Sequence, residues 1–355
     1  LADLIDAVPT AANAGFYAEI VAERATLRRL VEAGTRIVQL GFAADGGEVD
    51  AAVNEAQAQV YSVTDRTKSE DYVKLSEVIE PTMDFIEMLQ SRGGQVNGVP
   101  TGFAEFDELT QGLHPGQMII FAGRPAMGKT TLGMDVMRSA AIHNGMASAI
   151  FSLEMDRQEI MMRIMAAEAQ VPMSRLRDGT VDDQDWERLA RATTRFMDAP
   201  LYIDDSANMT LMEIRAKCRR LKQKADLKLV VIDYLQLMSS GKRVESRQQE
   251  VSEFSRALKL LAKEIEVPVI AISQLNRGNE QRTDKKPMMS DLRESGSIEQ
   301  DADLIVLIHR EDYYEKESAR AGEADLIVAK HRNGATKTIP VAFEGHYSRF
   351  KDMAQ

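Results

Sequence analysis

The chain has 355 residues, with 44 Lys+Arg against 55 Asp+Glu, a formal net charge of −11, 44% hydrophobic and 28% charged residues. This composition excludes disorder of the whole chain, and the acidic balance argues against a histone-like or wholly basic nucleic-acid binder. No apolar run approaches the roughly 18 residues of a membrane helix. The single cysteine, Cys218, forbids an internal disulfide, so a soluble protein of a reducing compartment, the cytoplasm, is expected. At about 100 to 200 residues per domain, two or three units are expected. The sequence opens at Leu1 with neither a start Met nor a signal region, as a chain trimmed at its N-terminus would.

From Phe16 to Phe42, apolar residues including Ile20, Leu27, Leu30, Val31 and Val38 recur at helical spacing, which predicts a long amphipathic helix. Gly46 and Gly47 break it. Val49, Val53, Ala56, Val60 and Val63 then mark a second helix, completing a helical hairpin over 1–64 that cannot bury both faces alone. The charged stretch Asp65 to Asp71 and the Gly-rich stretch Arg92 to Pro100 read as linkers. Between them, Ile79, Met83, Ile86 and Leu89 form one helical stripe, with Pro81 tolerable near a first turn. Packing on its own chain or docking on a neighbour would each cover this stripe. The segment 65–99 is thus predicted as a linker carrying a docking helix.

After Pro100, short apolar runs alternate with helical patterns: Met118 to Phe121, Ala147 to Leu153, Leu229 to Ile232, Val269 to Ile272 and Leu304 to Ile308. Buried strands separated by helices predict an α/β domain with a mostly parallel central sheet over 100–355. Two polar stretches, Asn276 to Pro287 and Ser290 to Asp301, read as long loops of the kind that bind ligands beyond strand ends.

The strongest chemical signal is the run Gly123, Arg124, Pro125, Ala126, Met127, Gly128, Lys129, Thr130 and Thr131. It matches the phosphate-loop pattern, directly after a predicted strand and before a predicted helix. Glycines let backbone N–H groups curl around phosphates. Lys129 supplies a point charge to the β and γ phosphates, Thr130 a hydroxyl to Mg²⁺, and the helix N-terminus its dipole.

Leu229 to Asp233 is an apolar strand ending in a carboxylate, the form in which a metal-holding acid is delivered. Glu154 follows another strand; it suits a water-polarising base and equally a helix N-cap or first-turn acid before Asp156 to Ala169. Val269 to Gln274 ends in Ser273 and Gln274, able to sense a γ-phosphate or simply to leave the sheet.

Lys330 and Arg332 alternate on one face of a strand entering the Asn-Gly turn at Gly334. They read as solvated edge charges or as an arginine finger for a neighbouring subunit. The seven basic residues of Arg215 to Lys228 flank a stripe of Ile214, Cys218, Leu221 and Ala225, the pattern of a solvated helix face, with a binding patch as the alternative.

Together these segments resemble the DnaB-type bacterial replicative DNA helicases, hexameric motors with a RecA-like core. The resemblance rests on PTGFAEFDELTQGLHPGQ before the phosphate loop, FSLEM at Phe151 to Met155, VVIDYLQLM at Val230 to Met238 and ISQLNRG at Ile272 to Gly278. SDLRESGSIEQDAD at Ser290 to Asp303 and AKHRNG at Ala329 to Gly334 extend it.

It implies a RecA-like P-loop NTPase fold preceded by a partial all-α N-terminal domain, with ATP and Mg²⁺ as cofactors. It also implies a homo-hexamer on single-stranded DNA moving 5′ to 3′, with primase and a helicase loader as partners. By the same resemblance Glu154 would activate water and Asp233 would hold the metal shell. Gln274 would sense the γ-phosphate, while Lys330 and Arg332 would reach into the next subunit's site. Arg293, Glu294 and Gly296 would belong to the loop holding DNA phosphates. A RecA-like recombinase, a small-molecule phosphotransferase and a nucleotide-stabilised scaffold are the alternatives; DNA-stimulated ATP turnover separates the last two from a helicase.

Overall fold

A computed structural model describes residues 14–43, 49–64, 74–91, 96–207, 209–233 and 247–353. The chain divides into two compact units at Met88/Leu89. In the first, α1 (Ala14–Ala43) and α2 (Val49–Thr64) form the predicted hairpin. Ala33 and Val63 are buried, and Arg36 donates to Gln59 Oε1 at 3.3 Å across the pair. Leu27, Leu30, Val31, Val38 and Phe42 remain exposed, so the hairpin leaves an apolar surface uncovered. The predicted breaks at Gly46 and Gly47, the 65–71 linker and the start of the 92–100 linker lie outside the described residues.

Helix α3 (Leu75–Ser91) starts earlier than its apolar stripe. Pro81 therefore sits in the helix interior rather than its first turn, which corrects the sequence reading. A proline there removes the donor that Glu77 C=O would receive. Ile79, Met83 and Ile86 are all about half exposed. No helix among the described residues is long and apolar enough to cross a membrane.

The second unit opens with α4 (Ala104–Thr110). Its Asp107 is buried and accepts hydrogen bonds from the Thr101 backbone N and hydroxyl and from Gly102 N. Strand β1 (Met118–Gly123) leads through the phosphate loop into α5 (Lys129–Arg138), which continues as a π turn over Ser139–His143. Then follow β2 (Ser148–Ser152), α6 (Arg157–Ala169), α7 (Met173–Asp178), α8 (Asp183–Phe196), β3 (Leu201–Asp204), α9 (Leu211–Ala225) and β4 (Leu229–Asp233). From Arg247 onward come α10 (Arg247–Ile265), β5 (Val269–Gln274), α11 (Gly296–Asp301), β6 (Leu304–His309), β7 (Glu323–His331), β8 (Lys337–Glu344) and β9 (Arg349–Asp352).

The strands make one sheet in the order β3-β2-β4-β5-β1-β6-β7-β8-β9. The first six run parallel and the last three add antiparallel neighbours. Alternate residues face opposite ways. Ile119, Phe121, Val231 and Ile272 pack with α5 and α6 on one face. Met118, Ile120, Val230 and Ile232 pack with α9 and α10 on the other. Burial on both faces explains why these strands read as continuous apolar runs.

The stretch Ser290 to Asp301, read as a loop, is instead helical: a 3-10 segment Met289–Ser295 runs into α11. Leu292 and Ile298 are buried beneath it, and Arg282 pairs with Asp291 at 2.8 Å. Strand β7 pairs with β6 up to His331 but with β8 only from Glu323 to Val328, so Lys330 lies beyond the β8 pairing and Arg332 just past the strand, and the edge-charge reading stands beside the finger reading. The basic helix α9 behaves as its pattern predicts: Ile214 and Cys218 are buried, Arg215 and Arg219 pair with Glu264, and Lys217 pairs with Asp204.

Candidate active site

Parallel pairing aligns the ends of four strands. Gly123 of β1 stands beside Gln274 of β5, and Ser152 of β2 beside Asp233 of β4. Leu153 N donates to Asp233 O at 2.7 Å, so the chain leaves β2 toward Glu154 directly over the end of β4. Ligands of open α/β sheets bind at such carboxyl ends, where the connections diverge. Here β1 lies between β5 and β6, while its own crossover returns to β2 on the far side of β4.

The phosphate loop turns through two left-handed residues, Ala126 (φ +62°) and Gly128 (φ +95°). Gly128 is required twice over: its φ favours glycine, and a Cβ would stand 2.7 Å from the Phe350 ring. Helix α5 begins at Lys129 with no side-chain cap, leaving its first N–H groups directed into the loop. Met127 is buried and anchors the loop to the core. Arg124 is also buried, donating to Glu280 Oε1 and to Leu275 O, both at 2.8 Å. It therefore fastens the loop to the segment after β5.

Lys129 Nζ donates to Arg124 O at 3.1 Å. Burial pushes its pKa down, while the carboxylates of Asp233 and Glu154 oppose that shift. Thr130 Oγ1 donates to Asp233 Oδ2 at 2.8 Å, whereas the buried Asp233 Oδ1 has no hydrogen-bond partner. The Asp233 pKa is raised to about 6, first by burial and further by the charge of Glu154, against the Thr130 hydrogen bond and Lys129. A hydroxyl and a carboxylate with one oxygen unsatisfied suit a hard divalent cation such as Mg²⁺, which takes few protein oxygens and keeps phosphate and water ligands.

A cavity of about 450 Å³ is lined by Gly128, Lys129, Thr130, Glu154 and Gln274 among others, within the range of small-ligand sites. Glu154 is exposed there, and the α6 N-cap is Asp156 rather than Glu154. Glu159 and Arg163 also line the cavity and pair at 2.7 Å. Neither was singled out in the sequence, although their i, i+4 spacing one turn beyond FSLEM was a signal. Arg310, from the end of β6, donates to Ala126 O at 3.3 Å and lies 3.9 Å over the Phe343 ring. Nothing local in the sequence links Arg310, Phe343 and Phe350 to a loop some 200 residues earlier.

Lys330 and Arg332 lie apart from this cavity, together at the other end of the sheet. Lys330 Nζ donates to Glu299 O at 2.5 Å, and Arg332 Nη1 to Asp303 Oδ1 at 3.0 Å. Their alternation thus holds: both turn to α11 and the residue before β6. The backbone of Arg293 and Glu294 lies in the 3-10 segment, and Gly296 opens α11. Tyr234 to Met238, the second half of the VVIDYLQLM segment, lie outside the described residues.

The family model for the DnaB-like helicase C-terminal domain matches residues 98–352. The chain is 67% identical to the replicative DNA helicase DnaB of Leifsonia xyli subsp. xyli, over 99% of this chain and 77% of that protein. It is 46% identical to DnaB of Geobacillus stearothermophilus, over 99% and 78%. Among solved structures, an isolated ATPase domain superimposes with a TM-score of 0.75 at 36% identity, over 80% of this chain and all of that one. A DnaB-like replicative helicase, described with its interactions with primase, gives 0.79 at 31% identity, over all of this chain and 82% of that one. A phosphate loop, a facing acid on β4 and these relationships together lead to one conclusion: the chain belongs to the DnaB-type replicative DNA helicases and is an ATP-dependent helicase on a RecA-like ATPase core.

Proposed function

We propose that the chain acts as a homo-hexamer that encircles single-stranded DNA and moves 5′ to 3′ at a replication fork in the cytoplasm, meeting primase and a helicase loader there. In this reading 1–64 is a partial helical domain, 65–99 a linker with its docking helix, and 100–355 the motor. The reading is carried by the Thr130–Asp233 hydrogen bond, with its unsatisfied carboxylate oxygen, beside Lys129 in one cavity.

ATP would lie along the loop from Gly123 to Thr131, its phosphates on backbone N–H groups and Lys129. Thr130 and Asp233 would hold Mg²⁺, which neutralises developing phosphate charge when bound. Glu154, exposed in the cavity, would accept the proton of the attacking water, and Gln274 at the β5 end would contact the γ-phosphate. Arg332, with Lys330, would leave its own Asp303 for a neighbouring subunit's phosphates, so that hydrolysis weakens one subunit contact. The 293–296 segment, including Arg293, Glu294 and Gly296, would then move along the strand.

ATP turnover measured with and without single-stranded DNA, on a sample whose mass is determined by light scattering, tests the proposal. A hexamer whose turnover rises with DNA is expected. A sample that assembles but ignores DNA would refute it.

A further inference from the structure

Helix α8 carries positive charge that the motor reading does not use. Leu189 and Ala192 bury one face of it against Val171 and Ala169. On one flank, Arg188, Arg191 and Arg195 line a cavity of about 540 Å³ together with Gln170. Arg188 is engaged: it donates to Gln170 O at 3.2 Å and to Asp185 Oδ1 at 2.8 Å. Arg191 and Arg195 are exposed and make no ion pair or hydrogen bond among the described residues. The carboxylate in the lining, Glu168, is buried and already bound by Arg138.

Two guanidinium groups without an ion pair among the described residues, on successive turns and about 6 Å apart at Cβ, therefore face an open cavity whose one lining carboxylate is already bound, in a chain whose net charge is −11. We propose that Arg191 and Arg195 form a second nucleic-acid contact, binding consecutive backbone phosphates outside the nucleotide cavity and outside the 293–296 segment. The chemistry fits: guanidinium forks bind phosphate oxygens in pairs, and such contacts position a strand without reading its sequence.

An acidic protein partner fits less well. Protein interfaces centre on an apolar patch, and the exposed apolar residues here, Trp186 in the helix and Met197 at its C-cap, lie eleven positions apart. That spacing, close to three turns, puts them on one line, on the flank opposite the arginines.

The inference adds to the motor reading and is tested separately from it. The double variant Arg191→Glu/Arg195→Glu and its milder counterpart Arg191→Gln/Arg195→Gln are compared with the unsubstituted chain by fluorescence anisotropy. The probes are a 20-nucleotide single strand, a blunt 20-base-pair duplex, and inorganic tripolyphosphate in competition, all with ADP saturating the nucleotide cavity. Trp186, the single tryptophan of the chain, sits on α8, so its denaturation midpoint reports whether the helix still folds.

Charge reversal is expected to weaken one DNA probe about tenfold at low salt. It should also lower the salt slope by about 1.4 if the ligand is a single strand, or about 1.8 if it is duplex. The glutamine pair is expected to fall between. Unchanged affinity and slope for both DNA probes, with the Trp186 midpoint preserved, would overturn the proposal. So would an effect confined to tripolyphosphate. Failure of the motor reading shows elsewhere, as ATP turnover in the unsubstituted chain that does not respond to DNA.

Discussion

Arg332 is held by Asp303 within its own chain, yet the proposed role lies in a neighbour's transition state. Arg332→Ala should therefore lower ATP turnover by about a thousandfold or more while ATP affinity stays within about twofold. Retained turnover would remove the finger assignment. Gly128 poses a different problem, because its left-handed backbone and its contact with Phe350 both exclude a side chain. Gly128→Ala should cost about 1–3 kcal/mol of stability and abolish nucleotide binding, measured by denaturation and by titration with a fluorescent ATP analogue.

At this scale the sequence reveals what the chain makes contiguous. Gly123 to Thr131 can be read directly, because phosphate binding needs backbone from neighbouring residues. Asp233 can be read only beside the phosphate loop, which gives a strand-end acid a metal to hold; on its own, an acid at the end of a strand is commonplace. Arg310, Phe343 and Phe350 cannot, since only the pairing of β6 through β9 brings them to the loop.

Among elements, α5, α6 and β9 are tied by a buried charge cluster. Arg138 of α5 binds Asp135 and Glu168, and Asp135 Oδ2 accepts the Phe350 backbone N–H at 2.6 Å. Glu168→Ala should cost about 2–4 kcal/mol by leaving Arg138 half-paired in the interior. A urea transition within about 0.5 kcal/mol of the unsubstituted chain would show the cluster to be incidental; this threshold is the size of ordinary surface effects.

Burial raises the Asp135 pKa to about 7, with Arg138 opposing. A carboxyl whose folded pKa lies above its unfolded value stabilises the fold fully below that unfolded value, and this contribution is lost as pH rises through about 7. Thermal stability should accordingly fall between pH 5 and pH 8, and Asp135→Asn should flatten that fall. An unchanged profile in the variant would assign the pH dependence elsewhere.

Fully buried strands were legible as apolar runs, whereas β3 and β9 were not. Leu-Tyr-Ile-Asp and Arg-Phe-Lys-Asp are four residues each at opposite margins of the sheet, where exposure interleaves polar groups. The helical character of 290–301 was hidden for a related reason: two buried side chains, Leu292 and Ile298, suffice to dock it.

For the whole molecule, the uncovered stripe of Ile79, Met83 and Ile86 predicts association. Replacing all three with Ser should reduce the assembled mass in light scattering while leaving the ATPase unit folded, because that unit has its own two-faced core. A variant of unchanged mass would mean that assembly rests on other surfaces. The acidic balance of the chain is compatible with DNA as ligand, since cations need to be concentrated only where phosphate passes.

The contact between Gly128 and Phe350 also constrains the order of events during synthesis. When the ribosome has released the chain through β6, every residue of the phosphate loop is already present and its strand can pair. The ring that fits against the loop lies 41 residues beyond the end of β6 and has yet to emerge. A nascent chain at that stage should bind ATP poorly and acquire affinity only when β9 adds to the sheet, so competence to hold nucleotide marks the completion of this unit.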